Sequence, residues 1–163
     1  NTAITIRRSS TTFSPMLPEK AFEEYAVEHF FKPMGISDYR FRTLPNGLTY
    51  PVDSLQMRSR DLLKIGLLVQ NGGVWNGKRL LSAKYVAEAT SPHVRKPVAD
   101  RSHGYFWALP DVSVNGTPTK TIMKHGVFGQ TIYVVPEYGL VVVFTAGGLD
   151  VKKEARMSPG RFG

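Results

Sequence analysis

Residues 121–148 read TIMKHGVFGQTIYVVPEYGLVVVFTAGG, and this stretch constrains the fold more than any other. Two apolar runs, 130–135 and 140–145, flank Pro136-Glu137-Tyr138-Gly139. Pro presets a turn dihedral and Gly accepts a positive one, so the runs are predicted to fold back on each other as a β-hairpin. The second run is unbroken Leu, Val and Phe through Phe144, a composition suited to a strand covered on both faces; this predicts a central place in a sheet. Immediately upstream lies Lys124-His125-Gly126, a cation, an imidazole and a residue without a side chain at the end of another predicted strand. A ligand can approach the backbone closely at such a glycine. These three residues are the candidate site.

A chain of 163 residues fits one domain and can bury a core without covalent staples. It has no cysteine, which excludes disulfides, thiolate metal sites and a cysteine nucleophile, and leaves the redox compartment open. The longest apolar run, 140–144, falls far short of the roughly 18 residues that a membrane span needs. Residues 1–12 show no signal-peptide pattern, and the chain opens on Asn1. Net charge is +8, but the basic residues are spread over Arg7-Arg8, 95–101 and 152–161, with no zinc-finger spacing and no base-reading motif. A solvated basic surface accounts for them; an anion- or nucleic-acid-binding domain is the alternative, and it would bind in a salt-dependent way.

Residues 1–17 read as an irregular lead-in or weak strand, and Pro18-Glu19 opens a helix predicted over 19–31, ended by Pro33. Glu24 and Glu28 are expected to face solvent, and His29, on the apolar side, to be packed or capping. Residues 34–49 read as loop. A second helix is predicted over 60–71, with Ser59 as N-cap, Asp61 in the first turn, and Leu62, Ile65, Gly66 and Val69 as the buried stripe. Gly66 costs stability in an exposed helix, so its presence predicts close packing against a strand. After the Asn76-Gly77 turn comes a short strand at 78–81, then a third helix over 83–90 capped by Ser82. Residues 94–102, polar and basic, read as an exposed loop. Strands are predicted at 104–109, where GYFWAL is aromatic and bounded by Gly and Pro, and at 120–125 after the Asn115-Gly116 turn. Residues 150–163 read as a frayed tail.

Taken in order, EEYAVEHFFKPMGISDYRF at 23–41, MRSRDLLKIGLLVQNGGVWNGKRLLSAKYVAEAT at 57–90, HGYFWAL at 103–109 and the stretch 124–148 are distributed over 23–148, about three quarters of the chain. Their order and spacing resemble the C-terminal part of the serine β-lactamase and penicillin-binding-protein-like family, in its class C and esterase-like branch. The resemblance implies an α+β fold, an antiparallel sheet flanked by helices beside a mostly helical region, with 1–163 forming one partial domain. It further implies a hydrolase that attacks amide or ester carbonyls through an acyl-enzyme. A family nucleophile is the Ser of S-x-x-K, assisted by the Tyr of Y-x-N, and a K-T-G-like triplet on a strand completes the cleft.

Lys124-His125-Gly126 matches that triplet, with His125 in place of Thr. Lys124 would hold a substrate carboxylate or tune the proton network, and Gly126 would let substrate lie along the strand edge. No Ser has Lys three positions later, and no Tyr has Asn two positions later. Thr117-Pro118-Thr119-Lys120 is a Thr-x-x-Lys, and it falls in a turn region. The chain is therefore expected to begin after the nucleophile motif and to be inactive alone. The resemblance calls for no cofactor or metal, and His125 with His29, His93 and His103 lacks paired ligand spacing. The implied partner is a small-molecule amide, ester or β-lactam; self-association of the isolated chain is also expected. The compartment is not fixed by the sequence, and only the resemblance points to a periplasmic or secreted setting. A non-catalytic scaffold or binding module of the same fold is the second alternative.

Overall fold

A computed structural model describes residues 19–43, 45, 49–50, 55–96, 101–126 and 129–146. The lead-in expected at 1–17 and the tail expected at 150–163 lie outside the described residues. Helix α1 (Glu19–Ala26) runs directly into a π-helical turn at Val27–Phe31, so the segment predicted at 19–31 is helical throughout but changes winding halfway. Lys32 N–H donates to Val27 O at 2.9 Å, the five-residue spacing of a wide turn. The extra residue shifts the helical face. Phe31 is carried into the core against Tyr39, with ring centroids 4.7 Å apart. His29, expected to be packed or capping, is instead exposed, its ring against Tyr25 at 4.2 Å. Glu24 and Glu28 face solvent as predicted.

Short antiparallel pairs follow where the sequence reads as loop: β1 (Tyr39–Arg40), β2 (Arg42–Thr43), β3 (Thr49–Tyr50) and β4 (Gln56–Met57), with β1 on β4 and β2 on β3. Helix α2 (Ser59–Gln70) has Arg58 at its N-cap, not Ser59; the Ser59 hydroxyl lies 3.1 Å from Thr145 Oγ1 and so ties the helix start to the sheet. The stripe of α2 faces inward as predicted, with Gly66 lying against Ile132 and Val141. Strands β5 (Val74–Trp75) and β6 (Lys78–Arg79) form a tight hairpin, with Asn76 at φ 47° and Gly77 at φ 77° in the left-handed region that a two-residue hairpin loop requires. Helix α3 (Ala83–Ala89) is capped by Ser82, whose Oγ accepts from Tyr85 N–H at 3.0 Å.

The remaining strands are β7 (Val94–Lys96), β8 (Arg101–His103), β9 (Ala108–Pro110), β10 (Val112–Val114), β11 (Thr117–Thr119), β12 (Ile122–His125), β13 (Thr131–Val135) and β14 (Leu140–Phe144). Among the described residues they make a six-stranded antiparallel sheet in the order β14-β13-β12-β9-β8-β7, while β10 and β11 form a separate hairpin around Asn115-Gly116. The hairpin of β13 and β14 matches the prediction to within a residue at each end.

Three expectations are corrected. Residues 94–102 are not simply a loop: β7 and part of β8 lie there, pairing Val94 with His103 and Lys96 with Arg101. Charged residues are compatible with an edge strand, which need bury neither face. Residues 104–109 are not one strand, because Phe106 takes φ 59° and divides the run, leaving β8 before it and β9 after it. Finally, β14 is an edge strand among the described residues and not a central one. Its Val141 and Val143 pack on the cluster of Val69, Val86, Ile122, Ile132 and Val134 beneath α2 and α3, whereas Leu140 and Phe144 on its other face are 47% and 58% exposed. The apolar run reflects two apolar faces, only one of them covered by the described residues. A second cluster, Phe31, Met34, Ile36 and Leu68, joins the π-helical turn to α2.

Candidate active site

Strand β12 pairs along its length with β13, in register Ile122 with Val134 through His125 with Thr131. Its other neighbour, β9, meets it at a single register pair, Met123 with Ala108. Beyond that rung the β9 chain turns away through Trp107 and Phe106, and Lys124-His125-Gly126 continue past it. The predicted triplet therefore lies where one edge of β12 is released from its ladder, a place where a ligand can run alongside a strand.

Side chains alternate along a strand, so Lys124 and His125 point to opposite faces. Lys124, opposite Ile132, is on the face covered by α2 further down the strand. It is exposed, its Nζ donates to Phe106 O at 3.3 Å and lies 5.3 Å from the centroid of the Phe106 ring. The ammonium meets no carboxylate among the described residues. His125 is on the far face, its Nδ1 at 2.9 Å from Thr131 Oγ1, the donor being set by the imidazole tautomer. The structure thus separates His125 from Lys124, although they are adjacent in sequence.

Gly126 donates its N–H to Gln130 O at 2.7 Å and accepts from Gly129 N–H at 3.2 Å. A Cβ there would come within 3.1 Å of Gln130 Oε1, the end of a flexible side chain that can move aside. Folding alone makes only a weak demand for glycine at this position. The sequence did not reveal Phe106, Thr131 or Gln130 as partners of the triplet. Phe106 is 18 residues from Lys124, and within GYFWAL nothing distinguishes a turned-out aromatic from a strand residue.

Two concavities compete for attention. An apolar cavity of about 260 Å³ lies between the π-helical turn, α2 and α3, lined by Phe30, Met34, Leu68, Tyr85, Val86 and Trp107 among others. Among the described residues its wall offers no nucleophile with a neighbouring base, and its lining suits an apolar group. A wider, more polar groove of about 690 Å³ borders β10, β11 and the start of β12, where Ser102, Thr119, Lys120 and Thr121 line it. That groove sits at the opposite end of β12 from the triplet. Among the described residues no His, Cys, Asp and Glu group is placed to hold a metal, and no helix is long and apolar enough to cross a membrane.

No family model matches the sequence, and no curated protein matches it significantly. Solved structures do match, 32 chains in all. One is the "Putative 6-aminohexanoate-dimer hydrolase from Bacillus anthracis", with a TM-score of 0.62 and 22% sequence identity over 73% of this chain. The chain spans 31% of that protein's length. Likeness at this identity speaks to fold, and the fold it identifies is α+β and β-lactamase-like.

Proposed function

We propose that this chain is the sheet-bearing, C-terminal part of a serine hydrolase that cleaves amide or ester carbonyls through an acyl-enzyme. One observation carries the reading: in a β-lactamase-like fold, Lys124-His125-Gly126 sits on the central strand β12 just past its last rung to β9. The nucleophile, a serine activated by a neighbouring lysine, would come from sequence other than residues 1–163. In the reaction, that serine oxygen adds to the carbonyl carbon while a base takes its proton, and the proton then passes to the departing amine or alcohol. Water subsequently attacks the acyl-enzyme and regenerates the hydroxyl. Lys124 supplies positive charge beside the substrate, and Gly126 leaves room for it against the strand. The substrate for which the comparison protein is named, a 6-aminohexanoate dimer, is a small amide; small amides, short esters, peptidoglycan peptides and β-lactams are the candidate classes.

The test is hydrolysis of a chromogenic β-lactam, a p-nitrophenyl ester and 6-aminohexanoate dimer by this chain and by the product of its parent reading frame. The chain alone should show no turnover above background, and the longer product, carrying S-x-x-K before Asn1, should turn over at least one. A parent frame without that motif would replace this reading with the non-catalytic scaffold. Turnover by the pure chain, abolished by substituting one of its own Ser or Thr residues, would also overturn it.

A further inference from the structure

Phe106 has φ 59°, a left-handed backbone conformation that bulky residues seldom adopt, and it is 87% exposed. Neither local preference nor burial explains an aromatic residue here. The turn is enforced by its surroundings: Gly104 N–H donates to Trp107 O at 2.9 Å, Tyr105 N–H donates to Ala89 O at 3.0 Å, and Trp107 packs against the core. Glycine would satisfy the same turn without strain. What the phenylalanine adds is a ring beside the Lys124 ammonium, which already donates to the backbone carbonyl of this position.

We infer that Phe106 is a specificity-determining residue of the Lys124 site, its ring forming an apolar wall that favours carboxylates carrying a flat apolar group over bare carboxylates. The inference rests on the placement of the site at Lys124 argued above. An ammonium has three N–H donors, and with one given to Phe106 O two remain for an anion. A carboxylate that accepts them brings its substituent alongside the exposed ring. A flat substituent then removes apolar surface from water on both partners, whereas a bare carboxylate gains only an exposed, salt-screened charge contact.

The experiment titrates the 163-residue chain with benzoate and with acetate at matched ionic strength, following backbone amide shifts by NMR. Benzoate should bind about fivefold more tightly than acetate, with shifts centred on Phe106 and residues 124–126. Phe106→Gly, which keeps the turn and the carbonyl, should bring the two ligands to within about twofold, and Lys124→Met should abolish both responses. Phe106→Asn also tolerates the left-handed region and provides the same readout if glycine loosens the turn. Equal binding by the wild-type chain, or a preference that survives both Phe106 substitutions, overturns the inference. Because nothing here depends on turnover, failure of hydrolysis in a longer protein leaves the result standing. Shifts centred on Lys120 would remove the site from Lys124 and sink both readings together.

Discussion

A Cβ built on Gly66 would stand 2.5 Å from Val141 Cγ1 and 2.9 Å from Ile132 Cγ2. The absence of a side chain sets how closely α2 approaches β13 and β14. Gly66→Ala gains about 1 kcal/mol of helix propensity but overpacks two branched side chains in the core, at a cost of about 1–3 kcal/mol. A net loss of up to about 2 kcal/mol is expected in denaturant unfolding. An unchanged or raised midpoint would mean that helix and sheet can separate freely.

Lys64 joins two parts of the fold. Its Nζ contacts Asp61 Oδ1 at 2.7 Å and donates to Gly35 O at 2.8 Å, linking α2 to the turn after the π-helical segment. Asp61 is only 7% exposed. Lys64→Met should therefore destabilise the chain by about 2–3 kcal/mol, chiefly by leaving a buried carboxylate without its cation. Asp61→Asn with Lys64→Met should recover part of that loss, and a double-mutant cycle measures it.

Lys124→Ala should lower turnover or substrate affinity about tenfold or more in a complete enzyme, whereas Lys120→Ala should change either by less than about twofold. The pair distinguishes the triplet from the groove at the other end of β12. Gly126→Ala should leave the melting temperature nearly unchanged, since Gln130 can move aside, yet impair activity by narrowing the strand edge. Reversal of the two lysine effects would assign the chemistry to the groove.

The hydroxyl of Tyr105 donates to Glu88 Oε1 at 2.7 Å, and this hydrogen bond to a carboxylate is the main reason that its pKa is raised above the ordinary 10.0. A group whose folded pKa is raised stabilises the fold below its unfolded pKa and ceases to do so as pH rises through the folded value. The contribution is thus complete at neutral pH and disappears only in strongly alkaline solution. Tyrosinate absorbance should show a late-titrating group that is lost in Tyr105→Phe and shifted to lower pH in Glu88→Gln.

The face of the β13–β14 hairpin left uncovered by the described residues presents Leu140 and Phe144 beside the half-buried Tyr133 and Val142. The isolated chain is expected to self-associate through it. Light scattering should rise with concentration, and Leu140→Lys should reduce the effect. A monodisperse, cooperatively melting monomer at high concentration would rule this out.

What was legible in the sequence was local chemistry. Ser82 caps α3, Asn76-Gly77 and Asn115-Gly116 take left-handed turns, and Gly66 packs against strands, because each effect is decided within a few residues or by the missing bulk of one. Neighbour relations were less legible. The composition of residues 140–144 reports that both faces are apolar, not which of them is covered. The polar run at 94–102 could not announce its pairing, since an edge strand demands so little of its side chains. At the candidate site, the sequence located the triplet on a strand end and period-two alternation implies that Lys124 and His125 diverge. The turn at Phe106 depends on contacts from Ala89 and Trp107 and left no local sign.

The two sides of the sheet also dictate what an assembly could look like. At one end β7 carries Arg95 and Lys96 on three residues, a poor surface for a second sheet to join; at the other, β14 is uncharged. An association that paired β14 edge to edge, as distinct from packing on its exposed face, would match like with like, two copies antiparallel about a twofold axis. Each copy in such a pair turns only its basic edge outward. Growth through that edge would then be expected to end at two copies, which a light-scattering mass that levels off at twice that of the chain would check.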